Sequence, residues 1–251
     1  MFTRVKTDSE IKAMRHSGKL LATVLATLKE AVEPGMTTKD FAEIARRELR
    51  STGGQPSFLG QYGFEDVLCV SVNDEVVHGV PSSGRMINEG DIVSMDFGVT
   101  YDGMITDSAI SVIVGEESNP KTVQLVKETK KALHAGIAVL RHDVHVGDIA
   151  AAIQTVLDRG GYGIVRDLVG HGVGHELHEE PNIPNYGKAG TGPKLLKGMT
   201  IAIEPMATLG THKVYVDSDG WTIKTRDGAR SAHFEHTVLI TENGSEILTT
   251  L

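Results

Sequence analysis

The sequence predicts an α+β chain built from a duplicated αβ unit, and three observations carry that reading. Amphipathic helical patterns precede strand patterns in both halves. An Asp-Gly turn joins two alternating apolar runs near residue 102. Three pairs of matching positions share one sequence offset.

The elements follow in order. Thr7-Asp8-Ser9-Glu10 is a capping-box pattern, and Ile11, Met14, Leu21, Val24, Leu25 and Leu28 continue it at helical spacing. Pro34-Gly35 stops that helix. A second helix starts near Thr38, carries Phe41, Ile44, Ala45 and Leu49 on one face, and ends at Gly53-Gly54. Strand patterns occupy 67–72 and 75–80. Next comes a hairpin, 92–101 outward and 104–114 back, around the turn Asp102-Gly103. After a polar break, helices are expected over 120–141 and 148–159, then a glycine-rich stretch and further strands.

Asp40 and Asp148, Gly90 and Gly198, and Asp96 and Glu204 each stand 108 positions apart. A shared offset across helix and strand predicts an internal duplication within one domain spanning 1–251, with halves of roughly 1–118 and 119–251. In both copies the strand ends on an acid.

Composition narrows the function. The 251 residues suffice to bury a core without disulfides, and the single cysteine, Cys69, excludes a disulfide framework. A formal net charge of −8 argues against general nucleic-acid binding, which needs a basic face. The N-terminal MFTRVKTDSE has no apolar signal region, and no run approaches a membrane span. The expectation is a soluble, cytoplasmic protein.

A carboxylate inside a strand costs several kcal/mol unless paired, so Asp96 and Asp107 need explaining. With Asp102 and Gly103 as the turn, Asp96 opposes Ala109 and Asp107 opposes Gly98. Both acids then share one face as diagonal neighbours, roughly 7–8 Å apart. The hairpin alone leaves two readings: solvated acids on an edge, or a cation between them. The second half adds Glu204, after TIAI, and Glu235 in SAHFEHTVLI, with His233 and Thr237 on its face. His171, His175 and His178 lie in VGHGVGHELHEEP, where Gly172 and Gly174 disfavour a helix and the HExxH spacing fails by one residue. Two Asp, two Glu and an imidazole suit hard or borderline divalent cations. The surplus of acids suggests two ions clamping both sides of a hydrolysis.

The segments VLCVSVNDEVVHGVP, GDIVSMDFGVTYDGMITDSA, GHGVGHELHEEP, GMTIAIEPM, DGWTIKTRDGARSAHFEHTVLIT and NGSEILT resemble the type I methionine aminopeptidases of the short bacterial kind. The resemblance spans most of the chain. It implies the pita-bread fold: two αβ halves related by a pseudo-two-fold, forming a curved antiparallel sheet covered by helices. It also implies that Asp96, Asp107, His171, Glu204 and Glu235 hold two divalent ions (Fe, Mn, Co or Zn), with Asp107 and Glu235 bridging. A water or hydroxide between the metals would attack the scissile carbonyl, with Glu204 as proton shuttle. His178 would contact the amide oxygen and His78 the amide nitrogen of the second substrate residue. Phe58, Phe64, Cys69, Leu177 and Trp221 match the methionine pocket. Gln61 and Leu177 depart from the usual tyrosine and phenylalanine. Asn73, Glu75 and Ser231 fall near an accessory monovalent-cation site.

The implied activity is removal of N-terminal methionine from nascent polypeptides when the second residue is small, by a cytoplasmic monomer working near the ribosome. Two alternatives share the scaffold. A proline-specific aminopeptidase or dipeptidase ordinarily carries an extra N-terminal domain, and none is expected here. A non-catalytic binding member would have lost ligands, whereas all five types are present. The spacing from His171 to His178 favours the methionine enzyme. His175, His233 and His236 are expected beside the ligands.

Overall fold

The computed structural model describes residues 2–50, 52–116 and 119–251; the expected boundary between halves, near residue 118, lies outside them. Helix α1 (Asp8–Ala31) begins at the predicted capping box, with Thr7 and Glu10 bonding reciprocally. Its buried stripe of Met14, Leu21, Val24, Leu25 and Leu28 faces the hairpin strands Ile92–Tyr101 and Met104–Ile113. Helix α2 (Thr38–Arg50) packs Phe41, Ala45 and Leu49 with Val70, Met95 and Phe97 in one core. In the second half, α3 (Pro120–Ala138) lies against α4 (Val146–Gly160). Their Leu133, Ile137, Ile149 and Ile153 share a second core with Ile201, Ile203 and Val238.

Helix α3 stops three residues before the expected end, because the chain turns at Val139 and Leu140 drops into the core. Helix α4 starts two residues early. Asp148 is its third residue, and its carboxylate accepts the His145 N–H at 3.1 Å. The strand expected over 75–80 ends at Val77, because His78 takes a left-handed φ of 59° and turns the chain.

The strand pairs are antiparallel. One four-stranded sheet contains Gln55–Pro56, Cys69–Val72 and the hairpin. A five-stranded sheet orders Ser245–Ile247, His236–Ile240, Thr200–Ile203, Gly170–Gly172 and Glu179–Ile183. The hairpin register is the one the turn predicts: Asp96 opposes Ala109, and Gly98 opposes Asp107.

The two sheets are stitched together between Met104–Ile113 and the 233–237 segment. Ala109 and Glu235 exchange backbone hydrogen bonds of 3.3 and 2.9 Å. Two residues away on either side, hydroxyls replace the backbone partner. Thr237 Oγ1 accepts from Asp107 N at 2.9 Å and donates to Asp107 O at 2.8 Å. Ser111 Oγ accepts from His233 N at 2.9 Å and donates to His233 O at 2.7 Å. This seam brings the acids of the two halves together. Among the described residues, no helix is long and apolar enough to cross a membrane.

Candidate metal centre

Asp96 and Asp107 project from the hairpin into the space beside the seam, and both are buried. Glu235 lies on the seam. Glu204 follows Thr200–Ile203, one step beyond the Ile203–His236 pair, so the register sets it across from Glu235. His171 is the middle residue of Gly170–Gly172, and its neighbour Ala202 is two residues from Glu204. Strand alternation thus aims five side chains from four segments at one space.

One ligand atom each from Asp107, His171 and Glu235 lie within 4.8 Å of one another. The His171 Nδ1 sits 2.9 Å from Gly172 O, a carbonyl that can only accept, so Nδ1 carries the proton and Nε2 offers its lone pair. That Nε2 is 3.5 Å from Glu204 Oε1 and 4.0 Å from Glu235 Oε1. Burial lowers the His171 pKa to about 3, with His178 adding to the effect, so the ring is neutral at pH 7.

The carboxylates shift the opposite way. Burial, opposed by His233 and by a hydrogen bond with Asp107 but reinforced by Glu204, raises Asp96 to about 6; burial raises Glu204 to about 8. Burial first, then the other acids, pushes Asp107 and Glu235 well above the usual range. Three buried carboxylates and a fourth, Glu204, that is 13% exposed cannot all ionise together without compensating positive charge. Asp96 Oδ1, Asp107 Oδ1 and Glu235 Oε1 are buried and have no hydrogen-bond partner. Orphaned acceptors beside a neutral imidazole fit a divalent cation, which supplies the missing charge and coordination.

A single cavity is lined by Asp96, Asp107, His171, Glu204 and Glu235, with His78, His178, Phe58, Gln61, Phe64, Cys69, Leu177 and Trp221. At its apolar end Phe58, Phe64, Cys69 and Leu177 are buried together, and the Phe64 and Trp221 rings meet edge-on at 5.2 Å. Cys69 pairs with Asp96 in the sheet, so this slot opens directly beside the carboxylates. Burial, then Asp96, raises the Cys69 pKa, which keeps it a thiol and a lining group rather than a nucleophile. The His178 ring meets His171 edge-on at 4.5 Å. Burial lowers His78 to about 4 and also lowers His178, so both rings are neutral donors at pH 7.

The expected neighbours of the ligands separate on inspection. His233 is wholly buried, its Nε2 is 3.5 Å from Glu204 Oε2, and neither ring nitrogen has a hydrogen-bond partner. His175 instead points away, to Glu10 at 2.7 Å, and His236 bonds Thr249 at 2.9 Å. Asn73, Glu75 and Ser231 do meet, through the Ser231 hydroxyl and the Asn73 and Glu75 carbonyls at 2.9 and 3.2 Å. Tyr62 was missed by the sequence reading. It lines the cavity, has a left-handed φ of 51°, and stacks toward His178 at 6.1 Å. An aromatic between Gly60 and Gly63 was the available signal.

The chain is 44% identical, over 98% of both lengths, to a methionine aminopeptidase of Clostridium acetobutylicum. It is 45% identical to one from Aquifex aeolicus over both full lengths. The crystal structure of methionine aminopeptidase from Thermotoga maritima superposes with a TM-score of 0.98 at 46% identity, covering 100% of both chains. Prolidase from Pyrococcus furiosus shares the fold at a TM-score of 0.78, with 23% identity and 65% of its length covered. The pita-bread architecture implied by the sequence is therefore the fold of this protein. Residues 12–242 match the model of metallopeptidase family M24, and the chain belongs to that family.

Proposed function

We propose that this protein is a dimetal aminopeptidase that removes N-terminal methionine from polypeptides whose second residue is small. The observation that carries the reading is the junction of two environments: an apolar slot, closed by Phe58, Phe64, Leu177 and Trp221, opens beside a buried cluster of acids. Methionine is long, unbranched and polarizable, which suits a narrow slot lined by aromatics and a thiol.

Asp96, Asp107, His171, Glu204 and Glu235 would hold two divalent ions. The chemistry such ions supply when bound is polarisation of the scissile carbonyl and a water acidic enough to act at neutral pH. Glu204, kept as a carboxylate by the charge of the bound ions, would take a proton from the attacking water and pass it to the departing amine. His178 donates to the carbonyl oxygen as negative charge develops there. His78, turned into the cavity by its left-handed backbone, holds the amide nitrogen of the second residue. Phe58, Phe64, Cys69, Leu177 and Trp221 seat the methionine side chain and exclude water from it. Nascent polypeptide N-termini in the cytoplasm are the natural source of such substrates.

The test is a peptide panel run with Fe(II), Mn(II), Co(II) and Zn(II). Met-Ala-Ser should turn over and an X-Pro peptide should not. Preference for X-Pro would sink the proposal in favour of a proline-specific enzyme, and absence of turnover with every metal would point to a binding protein.

A further inference from the structure

Before α1 begins, residues 2–7 run as a strap against the loop that carries Leu177 and His178. Thr3 N donates to Glu180 O at 2.6 Å, and Lys6 N to Gly198 O at 2.8 Å. The Thr3 hydroxyl reaches Thr200 O at 3.4 Å. The Lys6 side chain is 0% exposed and Glu179 only 3%. Lys6 Nζ donates to Thr3 Oγ1 at 2.8 Å and to Glu179 Oε2 at 3.2 Å.

The other oxygen of Glu179 faces the loop. Oε1 accepts the backbone N–H of His175 at 2.7 Å and of Glu176 at 3.1 Å. One carboxylate therefore closes the 175–179 turn on one side and grips the strap lysine on the other. The lysine stem lies along Gly174, where a Cβ would stand 2.5 Å from Lys6 Cε. That glycine has φ +146°, a conformation other residues rarely adopt. A second tie joins Glu10 of α1 to His175 Nε2 at 2.7 Å. Lys6 and Thr3 do not line the cavity that holds the slot and the acids; Glu179 is absent from that cavity too, but borders an adjoining one with His78, His171, His178 and Glu204.

A buried ion pair is a poor way to gain stability, since the desolvation cost offsets much of the attraction; its distinctive effect is to fix one geometry. We propose that the buried Lys6–Glu179 pair, oriented by Thr3, is a positioning device: it locks the 175–179 turn so that the His178 imidazole is held at the reacting carbonyl. What His178 touches rests on the aminopeptidase reading above; that the pair sets its place does not. Both Glu179 oxygens are engaged, one by Lys6 and the other by the His175 and Glu176 N–H groups, so the pair acts through the placement of His178.

The test uses the full chain. Lys6→Met alone strands the Glu179 charge, so the main variant is Lys6→Met combined with Glu179→Gln; the glutamine oxygen can still accept from the turn while the link to the strap is cut. With Mn(II) and Met-Ala-Ser, kcat should fall on the order of 10- to 100-fold, as expected for a misplaced catalytic group, with KM little changed. In a His178→Ala background the same pair of changes should cause no further loss of kcat, because the effect runs through His178. In the zinc-loaded protein, the His178 ring resonance, assigned by its disappearance in His178→Ala, should shift while that of His78 stays put. Thr3→Val, which removes only the hydroxyl orienting Lys6, should shift it in the same direction by less. An unchanged kcat in the folded double variant, equal losses with and without His178, or an unmoved His178 resonance would each overturn the proposal. Absence of methionyl-peptide turnover by the parent protein, with the resonance still shifting, would sink the aminopeptidase reading alone.

Discussion

Thr237→Val tests the seam that joins the two halves. The substitution keeps the shape of a wholly buried side chain but deletes one hydroxyl. That hydroxyl satisfies both backbone groups of Asp107, accepting its N–H at 2.9 Å and donating to its C=O at 2.8 Å. Valine leaves two buried backbone groups unpaired, at about 1–3 kcal/mol each. The expected loss is about 2–6 kcal/mol, a large share of the roughly 5–15 kcal/mol that separates folded from unfolded states. For a chain of this size that corresponds to a Tm lower by roughly 5–20 °C, read by calorimetry at pH 7.5. Because Asp107 is a proposed metal ligand, divalent-metal affinity measured by titration calorimetry should weaken as well. Thr237→Ser is the control, retaining the hydroxyl and losing one methyl, about 0.8 kcal/mol. If valine and serine behave alike in both measurements, the seam does not hold Asp107 in place and the reasoning fails.

Three further outcomes are expected. Asp96→Asn should lower turnover of Met-Ala-Ser by about 10³-fold or more while the circular dichroism spectrum is kept, since one ligand's charge is worth several kcal/mol at the transition state; undiminished turnover in metal-defined buffer would refute its role. Burial raises Asp96 to about 6 and Glu204 to about 8, and a carboxyl raised on folding stabilises below its unfolded pKa and loses that contribution as pH climbs through its folded one. The chelator-treated protein should therefore lose Tm between about pH 4 and pH 8, while stabilisation by added Mn(II) grows over the same window; a flat or rising Tm without metal would contradict this. At Gly98 an added Cβ would stand 2.7 Å from Phe58 Cε1, so Gly98→Ala should push that ring into the slot. The cost is about 1–3 kcal/mol of overpacking, with a raised KM for methionyl peptides; an unchanged KM would remove Phe58 from the pocket.

Much of this site was legible before any coordinates. The Asp-Gly turn fixes the hairpin register, and alternation along each strand then sets Asp96 and Asp107 on one face. The glycines around His171 exclude a helical zinc motif, and the strand Gly170–Gly172 is what forms. These are local rules acting over a few residues, so sequence is enough to apply them. The ends of elements were less legible. His78 breaks a strand that its neighbours would continue, because the chain turns there into the cavity.

The sequence by itself determined which side chains are available and which face of its strand each one takes. It also revealed the repeated acids, because periodicity and turn chemistry are written into neighbouring residues. Only the tertiary structure decided that Glu235 and Asp107, from segments 128 residues apart, meet across a seam of one backbone pair and two hydroxyls. It also decided that His175 is spent on Glu10 while His178 borders the cavity and His233 is buried, and that Lys6 is buried against Glu179. Such contacts depend on how sheets and helices from distant parts of the chain share space, and no single stretch of chain carries that information.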